Sequence, residues 1–261
     1  MIELKKFTEV TRKQVMQAWN ASFSDYIVQM KLTEEAFFAR MDEFLLDPNL
    51  SSLAFSDEEP IGFNLLAREG GYSWCGGLGV APPFRGKKVA DLLMEDMLQK
   101  AAGTQFKLEV ITDNERAVRF YQKYHFEVMN ELYFLDGPLG EATEIATEHP
   151  ELETEDSRLT PWQNLLRFKK EETSSRFSLE EGKGSFHLRY MLSDRGIEVS
   201  KFELEPGTTL QAALSGLGFA LGAEKKLFLN NCVLDRELAE AFFEAGFRKW
   251  ISQWQMVREV K

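Results

Sequence analysis

A basic turn between a predicted strand and a predicted helix is the stretch of this sequence best suited to chemistry. Leu78 and Val80 alternate with small residues as in a strand, and prolines at positions 82 and 83 end that pattern. The turn, residues 85–88 (RGKK), follows, and apolar residues at helical spacing begin at Val89. The first N–H groups of a helix lack intrahelical partners and carry partial positive charge, so this junction predicts a site for the phosphates of a nucleotide-type cofactor. A turn that is only solvated is the alternative.

The elements that must position this turn predict an α/β domain. Periodicity along residues 1–135 indicates the order β-α-α-β-β-β-α-β-α-β, which is typical of helices layered on a mixed sheet. The strand before the turn contains Gly76 and Gly77, and such a pair predicts a bulge or a close approach by another backbone or a ligand. Thr33 is placed to cap the second helix.

Composition narrows the class of protein. The chain has 261 residues, 44% of them hydrophobic and 21 of them Phe, so we expect one large domain or two ordinary ones with a partly aromatic core. A net charge of −11 argues against nucleic-acid binding. Two cysteines, Cys75 and Cys232, exclude a disulfide framework or a zinc cluster and fit a reducing cytosol. The N-terminus has no apolar run and no segment is long enough to span a membrane, so we expect a cytoplasmic protein.

The middle of the chain changes character. Residues 136–156 contain eight Asp or Glu residues and no Lys or Arg. This composition predicts a solvated linker over residues 136–157, between one domain at 1–135 and a smaller one at 158–261. The alternative is an acidic surface that attracts a cationic substrate.

The second half repeats the order of predicted elements of the first half, which predicts a second domain of related fold. With a shift of 121 positions, the equivalent pairs are Leu108 and Leu229, Asn114 and Asp235, Tyr121 and Phe242, and Phe126 and Phe247. The basic turn has no counterpart in the second half, because the equivalent segment, residues 203–209 (ELEPGTT), contains two glutamates and no lysine or arginine. We therefore expect a copy that keeps the fold without the cofactor site; chance similarity between two α/β halves is the alternative.

Two motifs in the first half resemble those of the GCN5-related N-acetyltransferase (GNAT) family. Residues 80–90 (VAPPFRGKKVA) are similar to V-x-P-x-x-R-G-x-G-x-G/A, and residues 108–126 are similar to L-E-V-x-x-x-N-x-x-A-x-x-F-Y-x-K-x-G-F. The likeness covers residues 1–135, and the whole chain resembles tandem members of the family. Lys88 and His125 stand where the family has glycine, so we expect reshaped or weaker cofactor binding at Lys88 and a left-handed turn at His125.

The resemblance implies acetyl-coenzyme A (acetyl-CoA) as co-substrate. It places the pyrophosphate on the N–H groups of residues 85–90 and pairs the pantetheine amides with an open strand edge at Leu78 and Val80. It sets the thioester in the gap between two strands that splay apart, those that end at Val80 and at Ile111. The cofactor-binding residues implied are Leu78, Gly79, Val80, Arg85, Gly86, Lys87, Lys88, Val89, Ala90 and Asn114.

The resemblance also suggests how the reaction is catalysed. It makes Tyr121 the acid that protonates the departing thiolate, with the N–H of Leu78 or Gly79 as oxyanion donor. Glu109 is the first choice for the base. Each has a plainer alternative, because Tyr121 could be a core residue and Glu109 a solvated strand carboxylate.

Three further residues lie near the implied site. Asp25 and Tyr26 are the runner-up for the base and could instead bind the acceptor, because their loop lines the acceptor site in the family. Cys75 has no histidine partner in the sequence pattern and is interpreted as a buried, inert thiol rather than a nucleophile.

Together these residues predict an N-acetyltransferase that moves an acetyl group from acetyl-CoA directly to an amine of a small molecule or peptide. No metal is expected, and a monomer and a homodimer are both open. A non-catalytic acyl-CoA sensor and a scaffold whose second domain binds a partner are the alternatives.

Overall fold

The computed structural model describes residues 2–153 and 156–259. The chain divides into two compact units, and each combines helices with β-strands as the predicted α/β fold requires. Unit 1 comprises Met1–Glu109, Arg116–Glu127 and Met256–Lys261, and unit 2 comprises Val110–Glu115 and Val128–Gln255. None of the helices in the described part of the chain has the length and apolarity that a membrane crossing requires.

Unit 1 is built on five strands in the order β1-β2-β3-β4-β5. Neighbours are antiparallel except β5, which runs parallel to β4. The strands are β1 (Ile2–Lys6), β2 (Ser52–Ser56), β3 (Glu59–Glu69), β4 (Tyr72–Val80) and β5 (Gln105–Ile111). The helices are α1 (Arg12–Ser22), α2 (Glu34–Glu43), α3 (Val89–Lys100) and α4 (Glu115–Lys123). Thr33 caps α2 as predicted, since its hydroxyl accepts the N–H of Ala36 at 3.2 Å.

Helices α1 and α3 cover opposite faces of this sheet. Successive strand residues point to opposite faces, and on β3 the ring of Phe63 contacts Trp19 of α1 at a centroid distance of 5.2 Å. The next residue, Asn64, points the other way, and its amide donates to the carbonyl of Leu93 in α3 at 2.9 Å. Because α1 and α3 lie on opposite faces of the sheet, the end of α1 approaches β4 from one face and the turn before α3 approaches it from the other.

A buried polar cluster holds α3 in register on the sheet. The side chain of Asn64 is fully buried, accepts the N–H of Ser52 at 2.7 Å and donates to Asp96 of α3 at 3.1 Å. Lys100 neutralises Asp96 at 2.7 Å and also donates to the Ser52 hydroxyl. Because buried polar groups need partners, this cluster tolerates little sliding of α3 and so fixes the turn at its N-terminus.

Unit 2 has the sheet order β6-β11-β10-β9-β8-β7, with β12 on the other side of β6. Its strands are β6 (Glu127–Pro138), β7 (Ala146–Pro150), β8 (Thr173–Leu179), β9 (Ser185–Ser193), β10 (Gly196–Leu204), β11 (Lys226–Val233) and β12 (Arg248–Arg258), and its helices are α5 (Leu210–Leu221) and α6 (Arg236–Glu244). Along the chain, β8 to β12 with α5 and α6 follow the same order as β2 to β6 with α3 and α4.

The predicted linker over residues 136–157 differs in the structure. Strand β6 continues to Pro138 and β7 forms over Ala146–Pro150, while residues 154 and 155 lie outside the described residues. The reason is that part of the acidic segment has partners. Glu148 of β7 accepts hydrogen bonds from Ser175 at 2.6 Å and Tyr190 at 2.7 Å, and Ala146 is buried. The domain boundaries at 135 and 158 stay a prediction.

Three non-glycine residues of unit 1 adopt left-handed backbone conformations at helix ends, and one of them is Leu45 after α2 (φ = 57°). His125, after α4, has φ = 63°, which confirms the predicted left-handed turn. Lys88, directly before α3, has φ = 63° and ψ = 14°, and its side chain makes no capping hydrogen bond. A left-handed conformation costs a residue with a Cβ about 1 kcal/mol relative to glycine. Lys88 therefore holds the conformation of a glycine at an energetic cost.

We predict that Lys88→Gly raises the free energy of unfolding by about 1 kcal/mol, because glycine enters this conformation without strain. Urea unfolding of the full chain, followed by fluorescence and circular dichroism, measures the change. The control is Lys87→Gly, since Lys87 is in the same turn with a negative φ and should lose stability. Equal destabilisation by both variants would contradict the prediction.

Candidate active site

The site is organised by the point at which β4 and β5 stop pairing. Their parallel ladder runs from Tyr72 and Gln105 to Cys75 and Leu108, and no further pair forms between the described residues of these strands. On its other edge β4 stays paired to β3 as far as Val80, opposite Gly62. Residues 76–80 of β4 therefore face a gap with backbone groups that β5 does not satisfy, which is a strand edge open to a ligand's amides.

A bulge at the start of the gap confirms the prediction made from the glycine pair. Leu66 pairs with Cys75 and Leu65 with Gly77, so Gly76 is the extra residue. A Cβ at Gly76 would come within 2.6 Å of Leu46, and one at Gly79 within 2.7 Å of Ser22. A side chain at Gly79 would clash with Ser22 and with the ring of Phe63, whereas one at Gly76 would displace the buried Leu46.

The basic turn lies beyond the end of β4. Pro82–Phe84 form a 3-10 turn, Gly86 (φ = 77°) and Lys88 adopt left-handed conformations, and α3 begins at Val89. The first N–H groups of α3 have no intrahelical partner, and Lys88 does not cap them. Residues 86–90 thus form a cradle of N–H donors with two lysines beside it, which suits a phosphate.

Arg85 has a different place from the rest of the turn. Its Nη1 and Nη2 donate to the two carboxylate oxygens of Asp25 at 2.6 and 2.7 Å. Its Nε donates to the carbonyl of Val80 at 2.9 Å, and Nη2 also donates to that of Ser22 at 3.0 Å. The N–H of Arg85 donates to Pro82 at 3.3 Å. Arg85 therefore joins the end of β4, the end of α1 and the loop after α1.

The ion pair changes what Asp25 can do. Its hydrogen bonds from Arg85 hold the pKa of Asp25 below its ordinary value, so the carboxylate stays ionised and engaged. Two predicted residues, one assigned to the cofactor and one to the acceptor, are thus brought into contact. The sequence separates them by 60 positions and contains no pattern that pairs them.

Tyr121 lies on α4 with its ring buried against Phe120 and Phe126, at centroid distances of 5.6 and 6.0 Å. Burial raises the pKa of Tyr121 well above its ordinary value, and the nearby Cys75 and Tyr26 raise it further. The phenol is therefore protonated at neutral pH and lies near the bulge. Within the described ranges, no residue makes a hydrogen bond to its hydroxyl.

Cys75 ends the parallel ladder but is not reactive. It is 5% exposed, and burial raises its pKa to about 12. Because the thiolate is the nucleophilic form, this thiol is inert at neutral pH. The interpretation of Cys75 as a buried thiol is confirmed.

Glu109 is held by a tryptophan. The indole Nε1 of Trp74 donates to Glu109 Oε2 at 2.5 Å, across the last part of the β4–β5 ladder. The Glu109 carboxylate is thus oriented by a neighbouring strand, in contrast to the freely solvated carboxylate of the plainer alternative. Trp74 was not predicted as a site residue, because its contact with Glu109 depends on the register of two parallel strands.

Asn114 lies in unit 2, whereas the other predicted site residues lie in unit 1. It precedes α4, and its N–H donates to the carbonyl of Ile111 at 2.9 Å. The turn at the end of β5 is therefore closed by its own backbone. The contact of Asn114 with a cofactor stays a prediction.

Unit 2 contains an equivalent gap that is bridged. The parallel pairing of β10 and β11 ends at Val199 and Leu229, and Ser200 is a bulge residue on the β9 edge. The amide Nδ2 of Asn164 donates to the carbonyl of Ser200 at 3.0 Å and to that of Asn231 at 2.8 Å. A side chain of the unit itself therefore occupies the hydrogen-bonding positions at the start of this gap.

The region around the start of α5 is also unsuited to a phosphate. The hydroxyl of Thr209 caps the helix by accepting the N–H of Ala212 at 3.2 Å. A cavity of about 490 Å³ beside it is lined by the carboxylates of Glu203, Asp235 and Glu237 and by no Lys or Arg. Two differences from unit 1, a capped helix and acidic walls, both oppose anion binding.

The chain was compared with protein families, curated proteins and solved structures. Residues 12–126 match the acetyltransferase (GNAT) family. No curated protein matches the chain.

Solved structures share the fold at low identity. The chain is similar to a GCN5-related N-acetyltransferase from Sphaerobacter thermophilus, with a TM-score of 0.64 and 11% identity over 100% of this chain and 96% of that one. It is also similar to a GCN5-related N-acetyltransferase from Anabaena variabilis, with a TM-score of 0.55 and 13% identity. That match covers 100% of this chain and 73% of the other. A third similar structure is the glucosamine N-acetyltransferase region of a fungal multi-domain enzyme, with a TM-score of 0.63 and 14% identity. That match covers 98% of this chain and 38% of the other.

The family match contains the β4–β5 gap, the basic turn and Tyr121. Residues 12–126 are therefore a domain of the acetyltransferase (GNAT) family.

Proposed function

We propose that this protein is an N-acetyltransferase that transfers an acetyl group from acetyl-CoA directly to an amine of a small molecule or peptide. The observation that carries the proposal is the gap between β4 and β5, with a protonated phenol near its start and an N–H cradle beyond its end. Family membership supports acyl transfer in general. The amine acceptor and the roles of individual residues are the proposal.

The donors in unit 1 fit acetyl-CoA, which supplies the acetyl thioester when bound. Leu78 and Val80 on the open edge of β4 would pair with the pantetheine amides, and the N–H groups of residues 86–90 would bind the pyrophosphate. Arg85 contributes through its position rather than as a phosphate ligand, because its side chain and its N–H both have partners. We retain Asn114 as a proposed contact to the pantetheine arm.

Three groups would have separate roles in the acetyl transfer: a base, a hydrogen-bond donor to the thioester oxygen and an acid. Glu109, oriented by Trp74, would remove a proton from the acceptor amine. The N–H of Leu78, on the open edge of β4, would donate to the thioester oxygen as negative charge develops on it, since Gly79 pairs with Phe63 of β3. Tyr121 would give its phenolic proton to the departing sulfur. Asp25 and Tyr26 remain the second choice for the base, and the ion pair of Asp25 with Arg85 favours Glu109 over Asp25.

Unit 2 is proposed to be a copy without an active site. The Asn164 bridge, the acidic cavity and the buried Phe242 in the place of Tyr121 support this assignment. Both cysteines are free and buried, which fits a reducing compartment, and we propose a cytoplasmic location.

We predict that Tyr121→Phe lowers kcat by about 100-fold or more while the Kd for acetyl-CoA changes less than about twofold. Phenylalanine keeps the packing against Phe126, so only the proton donor is lost. Thiol release measures kcat and calorimetry measures Kd. Because burial raises the pKa of Tyr121, its ionisation should not limit the wild-type rate below about pH 10.

Tyr124→Phe is the matched control for this variant. The hydroxyl of Tyr124 donates a hydrogen bond to Asp91 at 2.7 Å, so Tyr124→Phe removes a phenolic hydroxyl just after α4, at a position that does not face the β4–β5 gap. A kcat for Tyr121→Phe equal to that of the control would remove Tyr121 from the mechanism.

We predict that Glu109→Gln lowers kcat/KM by at least about tenfold near pH 7 and by much less near pH 9–10, where more of the amine is already neutral. A pH profile of kcat/KM for the variant and wild type checks this. A loss of kcat/KM that is the same at every pH would indicate a structural role for Glu109. A variant with the wild-type pH profile would show that Glu109 is not the base and would favour Asp25 or Tyr26 instead.

A further inference from the structure

A chain of ring contacts within unit 1 links Arg40 of α2 to Glu109. Its guanidinium carbon is 4.8 Å from the ring centroid of Phe44. That ring contacts Trp74 at 6.1 Å, edge to face, and Trp74 donates to Glu109. A cation is therefore held on an aromatic face, within the electrostatic reach of the carboxylate proposed as the base.

The guanidinium of Arg40 has no polar partner of its own. Across residues 2–153 and 156–259, none makes a hydrogen bond or an ion pair with it. Arg85 and Arg68, which also flank this sheet, differ because Arg85 binds Asp25 and Arg68 donates to the carbonyls of Lys100 and Ala102. Burial lowers the pKa of Arg40, and the charges of Glu43 and Glu109 offset part of that effect. A guanidinium stays protonated in proteins, so its donors are available to a ligand.

A guanidinium has donors in a planar fork that matches a carboxylate, and this one lies over the ring of Phe44. A monoanion would balance the single charge of Arg40. A phosphate dianion would place excess negative charge close to Glu109, which disfavours it. Glu109 in turn suits an amine, so the pair Glu109 and Arg40 matches a molecule that carries both groups.

We infer that Arg40 binds a carboxylate of the acceptor, so that the acceptor is an amine bearing a carboxylate, such as an amino acid or a short peptide. This inference rests on the proposed acetyl transfer and names the class of its acceptor. Glu109 would take the proton from the amine while Arg40 holds the other end of the molecule.

The test compares amines that differ only in a carboxylate or a carboxamide. Suitable pairs are the common amino acids, β-alanine and 4-aminobutyrate, each with its carboxamide. Thiol release from acetyl-CoA is measured for each, and kcat/KM is corrected for the fraction of neutral amine, because a carboxamide lowers the amine pKa. We expect wild-type protein to favour the carboxylate members of at least one pair by about 10- to 100-fold, as for hydrogen bonds between charged groups.

Variants assign the preference to Arg40. Arg40→Gln should abolish it through a higher KM for the carboxylate member, with a larger loss of kcat/KM for that member than for its carboxamide. Arg40→Lys should retain a part of it, because a lysine keeps the charge without the fork. Arg12→Gln is the matched control, since Arg12 stacks on Phe38 at 4.4 Å in the same unit without contacting the site, and it should keep the full preference.

Several outcomes would overturn the inference. They are equal rates for both members of every pair, a preference that survives Arg40→Gln, or faster acetylation of phosphoethanolamine than of any carboxylate. In each of these cases acetyl transfer itself still stands. No transfer to any amine, with acetyl-CoA bound, would instead overturn the proposed function and this inference with it.

Discussion

The end of the ladder between β4 and β5 is the constraint on which the rest of unit 1 depends. Two parallel strands that stay paired leave no room between them, whereas two that separate after Cys75 and Leu108 create a gap lined by main-chain donors and acceptors. The bulge at Gly76 turns the strand at the same point, and close packing around Gly79 leaves no space for a side chain on that face. The main chain of β4 thus forms the gap itself, and the side chains of neighbouring elements line it.

Arg85 is the residue that joins the parts of this site. Through one guanidinium it contacts the carbonyls that end β4 and α1 and the carboxylate of Asp25. The cradle for phosphate begins with the next residue. A movement of the basic turn would therefore be transmitted to the loop after α1, so the proposed cofactor and acceptor sides of unit 1 are mechanically connected. The polar cluster of Asn64, Asp96 and Lys100 keeps the other end of α3 in place.

Features that depend on local chain pattern could be predicted from the sequence. The order of elements, the Gly76 bulge, the Thr33 cap and the left-handed His125 all follow from residues close in the chain. Contacts set by register or by loop position could not. Trp74 meets Glu109 only because two parallel strands align as they do, and Arg85 meets Asp25 across the sheet. The acidic segment was interpreted as a solvated linker from its composition, but hydrogen bonds to Glu148 from β8 and β9 build part of it into unit 2.

The Asn164 bridge has a consequence for how the two units respond to ligands. In unit 2 this amide satisfies the carbonyls of Ser200 and Asn231, so the gap is complete without any other molecule. In unit 1 the β4–β5 pairing ends at Cys75 and Leu108, and a ligand that binds only the folded state there adds stability that grows with the logarithm of its concentration divided by its Kd. The proposed acetyl-CoA site would consequently make the heat resistance of unit 1 depend on the concentration of that cofactor in the cell, whereas unit 2 would gain no such stabilisation.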